Sequence, residues 1–161
     1  QFPDLYPETK ILSAGEHPFH TPYALHYDTM FIEPPIYLNA VLRDFHMAGG
    51  KIVVQAFENL SELAALPAPV LINCTGLGAR DLFNDKALIP IKGQLTVLLP
   101  QREVDYLLIH ESLYMFPRRD GILLGGTHER DVWSLEPDRA AEKRIVAGHM
   151  DVFSRMRQQV L

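Results

Sequence analysis

The sequence predicts a mixed α/β and α+β fold, and three observations carry that expectation. Residues 34–73 alternate helix-like and strand-like stretches, as parallel α/β units do. From residue 88 the pattern changes to four short apolar stretches whose connections are too short for helical crossovers, which predicts antiparallel pairing. After Pro137 apolar residues recur at helical spacing.

Taken in order, residues 1–22 contain Pro3, Pro7, Pro18 and Pro22 and read as an irregular entry segment. Tyr23 to Glu33, rich in aromatic and β-branched residues, predicts one strand or two short ones. Pro35 suits the first residue of a helix, and Leu38, Val41, Leu42 and Phe45 then fall on one face. Gly49-Gly50 supplies the left-handed conformation that ends it. Ile52 to Phe57 predicts a strand, followed by a short helical piece around Ser61 to Leu66. Val70 to Asn73 reads as a strand covered on both faces, because such strands are continuously apolar. Gly76 and Gly78 then permit a tight turn, and in open α/β sheets ligands bind at such strand ends. Leu95 to Leu99, Tyr106 to Ile109, Leu113 to Phe116 and Ile122 to Leu124 are the four close strands. Arg118-Arg119-Asp120-Gly121 joins the last two as a hairpin with Asp-Gly as its turn pair, and Gly125-Gly126 ends the run. Pro137 fits the first turn of a final helix with Ala141, Ile145, Val152 and Met156 on one face.

Composition narrows the partners. The 161 residues are 47% hydrophobic and 22% charged with net charge −5, as in ordinary globular domains. Without a basic stretch, nucleic acid and anionic membranes are not expected partners. Cys74 is the one cysteine, excludes an intrachain disulfide, and is expected to be buried and inert in its apolar run. His17 and His20 straddle Pro18 in a loop, and no metal site is expected. His128-Glu129-Arg130-Asp131 reads as a solvated loop. Arg118 and Arg119 are able to grip a carboxylate bidentately, although arginines beside Asp-Gly in a hairpin are usually just exposed. Ser112 lacks the context of a nucleophile elbow, and no Gly-x-Gly-x-x-Gly occurs in the chain.

Val70 to Ala79 (VLINCTGLGA), Ile91-Lys92-Gly93-Gln94, Tyr114-Met115-Phe116-Pro117 and Leu124-Gly125-Gly126-Thr127 occur in that order. This series resembles the middle portion of the D-amino-acid oxidase family of FAD-dependent oxidoreductases. Phe19-His20-Thr21 or the Tyr27 to Glu33 stretch, the 35–48 helix, Lys51 to Phe57 and Trp133-Ser134 fit the same layout.

The resemblance implies an FAD-binding α/β domain interwoven with a substrate domain built on an antiparallel-rich mixed sheet. Residues 34–87 would belong to the FAD-binding domain, 1–33 and 88–135 to the substrate-domain sheet, and 136–161 to a C-terminal helix. It implies FAD as cofactor, met by Ala56 and Phe57 through backbone groups and by Thr75, with Gly76 permitting close approach. Tyr114 matches the tyrosine whose hydroxyl binds the substrate carboxylate. The implied reaction is oxidative deamination of a D-amino acid: hydride leaves Cα for the flavin, water hydrolyses the imino acid, and dioxygen takes the electrons to give hydrogen peroxide. The resemblance also implies an incomplete chain, without the glycine-rich turn and the C-terminal part, that binds FAD weakly or not at all by itself. Two alternatives stay open: a non-catalytic relic or subunit using the sheet as a binding or assembly surface, and a related oxidase of D-aspartate, glycine or sarcosine. A small-molecule amino acid is the expected partner, a homodimer is compatible, and the expected location is cytoplasmic, or peroxisomal in a eukaryote.

Overall fold

The structure, a computed structural model, describes residues 9–157. Pro3 and Pro7 of the entry segment and residues 158–161 of the C-terminal segment lie outside the described residues. Two compact units are present. One comprises the chain up to Val41, Gln94–Thr127 and the chain from Asp138 onward; the other comprises Leu42–Gly93 and His128–Pro137.

The first unit opens with a hairpin of β1 (Lys10–Ser13) and β2 (Tyr23–His26), paired antiparallel from Lys10↔His26 to Ser13↔Tyr23. The entry segment is therefore not irregular throughout: Tyr23 to His26 recruits Lys10–Ser13 as its partner. The remainder of the expected strand, residues 27–33, stays unpaired. His17, in the loop of this hairpin, is buried and stacks on Phe19 with ring centroids 6.2 Å apart.

Helix α1 (Pro34–Met47) begins one residue earlier than expected. Pro34 needs no N–H partner there, and the Glu33 carbonyl accepts from the amides of Ile36 and Tyr37 at 3.1 and 3.0 Å. At the far end Gly49 adopts φ +88°, and the Gly50 amide donates to the Phe45 carbonyl at 2.9 Å, closing a left-handed cap. No residue of α1 is buried, so its apolar stripe, including Leu38, Val41 and Phe45, lacks the cover that its spacing suggests.

Strands β4 (Thr96–Leu98), β5 (Leu108–His110), β6 (Leu113–Arg118) and β7 (Gly121–Gly125) form one antiparallel sheet in the order β4-β7-β6-β5. Arg118 pairs with Gly121, so the hairpin turns on Arg119-Asp120 and not on Asp-Gly. Gly121 has φ +155°, and a Cβ there would stand 2.7 Å from the Leu98 carbonyl oxygen, which fixes glycine as the first residue of β7.

Arg118 locks this hairpin by gripping Asp120 with two guanidinium nitrogens, Nε to Oδ1 at 2.7 Å and Nη2 to Oδ2. Arg119 faces Glu33, with its Nε 3.4 Å from Oε1 and its amide donating to Oε2 at 3.0 Å. The Arg118 hydrogen bond is the main cause that holds the Asp120 carboxyl below its ordinary 3.8, and burial opposes it. A folded value below the unfolded one stabilises the fold above the ordinary carboxylate range and ceases to do so as pH falls through the folded value. Asp120→Asn is therefore expected to lower the thermal midpoint at pH 7, with the difference from the parent shrinking as pH falls below the ordinary carboxylate range. A difference that does not shrink on acidification assigns the effect to the turn backbone instead of the ion pair.

Helix α4 (Arg139–Ser154) covers one face of the sheet. Its N-cap is Asp138, which accepts from the Ala140 amide at 2.8 Å, so Pro137 precedes the helix and does not open it. The buried stripe is Ala141, Ile145 and His149, in place of the expected continuation to Val152 and Met156. Ile145 meets Met115, Ile122 and Leu124 in the core, flanked by Val104, Leu108, Leu113 and Phe153.

In the second unit α2 (Leu60–Ala64) is capped by Asn59, whose side chain accepts from the Glu62 amide at 3.1 Å. A single 3₁₀ turn, Gly76–Gly78, leads into α3 (Ala79–Leu82). Strand β3 (Ile91–Lys92) pairs antiparallel with β8 (Glu129–Arg130), so half of the His128–Asp131 loop is strand. The two strands expected at Ile52 to Phe57 and Val70 to Asn73 take no regular secondary structure and are unpaired, and no parallel pair occurs among the described residues. Val54 is 98% and Ile72 84% exposed. An apolar run becomes a strand only when a neighbour takes its backbone hydrogen bonds. Cys74, expected to be buried with its run, is exposed for the same reason.

Candidate functional site

The four-stranded sheet has two unlike faces, since residues directly opposite in antiparallel register share a face. Met115, Leu124 and Thr96 lie in one row toward α4, as do Pro117, Ile122 and Leu98. On the other face stand Tyr114 with Ile109 and Gly125, and Phe116 with Leu123 and Val97. Ile109 and Val97 are more than half exposed, so this face is open at both edges.

Tyr114 is the polar-tipped residue at its centre. Its ring lies across Gly125, where a Cβ would coincide with the ring, so the missing side chain is the room that the ring occupies. Phe116 packs beside it at 5.1 Å between centroids, and Phe31 stacks on Phe116 at 5.9 Å. The Tyr114 backbone carbonyl lies 3.2 Å from Nε2 of His149. Arg118, two positions beyond Phe116 on the same face, is committed to Asp120.

Two residues of the quoted motifs prove to be braces. The Gln94 amide donates to the Thr127 hydroxyl at 2.6 Å, joining the start of one motif to the end of another. The Gln94 side chain accepts from the Asp138 amide at 2.7 Å and donates to the Asp138 carbonyl at 3.0 Å, seating the N-cap of α4.

The other expected site residues lie in the second unit. The backbone at Ala56 and Phe57 lies outside any helix or sheet. The Thr75 hydroxyl donates to Asn73 Oδ1 at 2.7 Å, and the same oxygen accepts from the Thr75 amide at 3.1 Å, which fixes the turn out of the apolar run. Gly76 follows with φ +56°, and nothing lies within 4 Å of the place where its Cβ would stand. Behind this turn Arg80 donates to the carbonyls of Lys86 and Leu88, both at 2.7 Å, and lies 5.6 Å from the ring centre of Trp133. Ala56, Phe57, Thr75 and Gly76 thus share one unit, and Tyr114 belongs to the other.

Sequence reasoning singled out Gln94 as part of a motif but not as a brace, and missed Asp138 and His149. Asp138 carried a readable signal, an aspartate just before a helical apolar pattern. His149 follows Ile145 by four residues and so falls on its stripe, but periodicity does not reveal which backbone atom it meets. Among the described residues no helix is long and apolar enough to cross a membrane, and no group of three metal-binding side chains occurs.

Comparison with known proteins gives the family. Residues 4–160 match the family described as FAD dependent oxidoreductase, DAO. A D-amino-acid oxidase of Streptomyces coelicolor is 41% identical over 104 residues, 62% of this chain and 32% of that protein. A D-amino acid oxidase of Dugesia ryukyuensis is 36% identical over 106 residues, 65% of this chain and 32% of that protein. The D-aspartate oxidase of Homo sapiens is 31% identical over 124 residues, 75% of this chain and 36% of that protein. The match thus spans about a third of the length of each relative. With its match extending over nearly all of its length, the chain belongs to the DAO family of FAD-dependent oxidoreductases.

Proposed function

We propose that the protein oxidises D-amino acids to imino acids, with residues 34–87 contributing part of the FAD-binding domain and residues 1–33 and 88–135 contributing substrate-domain sheet. The observation that carries this reading is Tyr114, a half-buried phenol on the sheet face opposite the one covered by α4. Its hydroxyl donates to the substrate carboxylate, an acceptor whose charge shortens and strengthens the bond. That bond fixes the orientation of Cα, which a hydride transfer requires.

FAD, when bound, supplies the two-electron acceptor and passes the electrons to dioxygen. The second unit suits contact with such a group: Gly76 leaves open space above its backbone, and the Ala56–Phe57 backbone is free of any strand partner. The Thr75 hydroxyl, already donating to Asn73, still has lone pairs to accept a hydrogen bond. The side chains of this site hold and orient the substrate, and a substrate with a neutral amine needs no side-chain base.

Both arginines of the β6–β7 hairpin are paired with carboxylates of the chain, Arg118 with Asp120 and Arg119 with Glu33. Arg118, held by Asp120 through two nitrogens, is not free for a second substrate carboxylate, which favours neutral over acidic side chains. The similarity to a D-aspartate oxidase supports the acidic reading instead. Purified intact protein should show flavin absorbance and release peroxide with D-alanine faster than with D-aspartate, and none with L-alanine. Faster peroxide release with D-aspartate reverses the substrate order. Flavin without peroxide from either D-amino acid supports glycine or sarcosine as substrate, and neither flavin nor peroxide supports the non-catalytic reading.

A further inference from the structure

We propose that Arg80 is a positioning residue for the Thr75–Gly76 turn, holding it in the shape in which it meets FAD. The proposal rests on the reading that this turn contacts the cofactor. The segment has little of its own to keep it in place. The 3₁₀ turn Gly76–Gly78 and α3 are three and four residues long, and neither contains a buried residue. Helical pieces this short do not support themselves, because a first turn fixes several dihedrals for one hydrogen bond. The bonds from Thr75 to Asn73 close the turn locally but tie it to nothing beyond itself.

Arg80 is what reaches outward. Its Nη1 donates to the carbonyls of Lys86 and Leu88, both at 2.7 Å, and its guanidinium carbon lies 5.6 Å from the centre of the Trp133 ring. A guanidinium is always charged and only donates, so both bonds have a single reading. A charged donor makes such bonds about twice as strong as neutral ones, and a cation over an indole adds its own attraction. The other outward tie, Lys86 to Asp81 at 3.3 Å, joins side chains 61% and 87% exposed and contributes little.

Trp133 is itself held. Its Nε1–H donates to the Asp131 carboxylate at 2.9 Å, and the Asp131 amide donates to the Pro90 carbonyl at 2.8 Å, beside the β3–β8 pair. Arg80 therefore fastens a one-turn helix to the 86–88 loop and, through Trp133, to a strand pair of the same unit. Gly76 precedes Arg80 by four residues, about one helical turn, so a swing of α3 carries the glycine with it. Trp133, singled out in the sequence with Ser134, is the plate against which Arg80 lies. Because nothing in the segment is buried, loss of Arg80 frees the turn without opening a core. Cofactor affinity should fall while melting hardly moves.

The test titrates the intact protein, stripped of flavin, with FAD and reads the dissociation constant from quenching of flavin fluorescence, with the thermal midpoint of the stripped protein beside it. Arg80→Ala is expected to raise that constant about tenfold and to move the midpoint by no more than about two degrees. Arg80→Lys, which keeps one charged donor without the planar fork, should recover part of the affinity. Trp133→Leu, which leaves both carbonyl bonds in place, should weaken FAD by about two- to fivefold. With FAD saturating, Arg80→Ala should bind pyruvate, a carboxylate that cannot be oxidised at Cα, within about twofold of the parent, because Tyr114 belongs to the other unit. A large fall in the midpoint, or in pyruvate affinity, overturns the proposal, since the damage then reaches beyond the turn. Gly76→Asn checks the reading beneath it. Asparagine tolerates the left-handed backbone and meets no atom within 4 Å, yet it fills the open space above the turn. Weaker FAD binding in Gly76→Asn with unchanged binding in Arg80→Ala removes this proposal alone, whereas unchanged binding in Gly76→Asn removes the parent reading and this one with it.

Discussion

Replacing Tyr114 by phenylalanine is expected to raise KM for D-alanine by about ten- to a hundredfold while the thermal midpoint moves by no more than one or two degrees. The magnitude follows from a hydrogen bond to a charged acceptor, about 1.5–3 kcal/mol, of which each 1.4 kcal/mol is a factor of ten. The fold is spared because the ring keeps every carbon that it packs with. The phenyl still lies across Gly125 and against Phe116, so only the hydroxyl is lost. Initial rates of peroxide release across D-alanine concentrations, with calorimetric pyruvate binding beside them, measure the effect. An unchanged KM together with unchanged pyruvate affinity refutes the assignment of Tyr114. A drop in kcat at constant KM would mean that the hydroxyl acts on the transition state and not on binding.

The sheet that carries Tyr114 was legible because its pairings are local. Leu113–Arg118 and Gly121–Gly125 are joined by two residues, and Leu108–His110 turns into Leu113 through Glu111-Ser112. Such hairpins leave their mark as apolar stretches at short intervals, and all four strands lie within about two residues of where the pattern puts them. Helices α1 and α4 were legible from spacing and from Gly49, a residue suited to its left-handed conformation. The runs at 52–57 and 70–73 read as strands from the same kind of content, yet hydrophobicity describes a side chain's preference and not the presence of a neighbour. Val54 and Ile72 have the preference without the neighbour. Lys10–Ser13 is the converse case, a polar-flanked stretch that becomes a strand because Tyr23–His26 folds back on it. At the candidate site the glycine turn at Gly76 was readable from residue type. Tyr114 was singled out by family resemblance, because a tyrosine in a strand is ordinarily packing. The braces from Gln94 to Thr127 and Asp138 join residues 33 and 44 positions apart. Contacts of that range leave no periodic trace in a single sequence.

Gly125→Ala offers the second large effect, because it attacks the phenol's position without touching the phenol. Gly125 lies opposite Tyr114 in register and is buried, and its φ lies outside the left-handed region, so alanine is acceptable to the backbone. The added methyl would coincide with the Tyr114 ring, which must swing from its seat. Overpacking of this kind costs about 1–3 kcal/mol of stability, and KM for D-alanine should rise by at least the factor seen in Tyr114→Phe, because the displaced hydroxyl no longer meets the carboxylate. Tyrosine signals in near-ultraviolet circular dichroism should change with it. Combining Gly125→Ala with Tyr114→Phe should raise KM little beyond either substitution alone, the non-additivity expected of two changes that remove one contact. The neighbouring glycine separates ring displacement from general damage. Gly126 has φ +150°, and a Cβ there would stand 2.9 Å from the Ser112 carbonyl oxygen and 2.7 Å from Ile145 Cδ1. Gly126→Ala should therefore cost stability through backbone strain and crowding of the core, with no selective rise in KM in the protein that remains folded. If the two substitutions prove alike in both readouts, the seat of Tyr114 over Gly125 is ordinary packing; if only Gly125→Ala raises KM, that glycine holds a functional side chain in place.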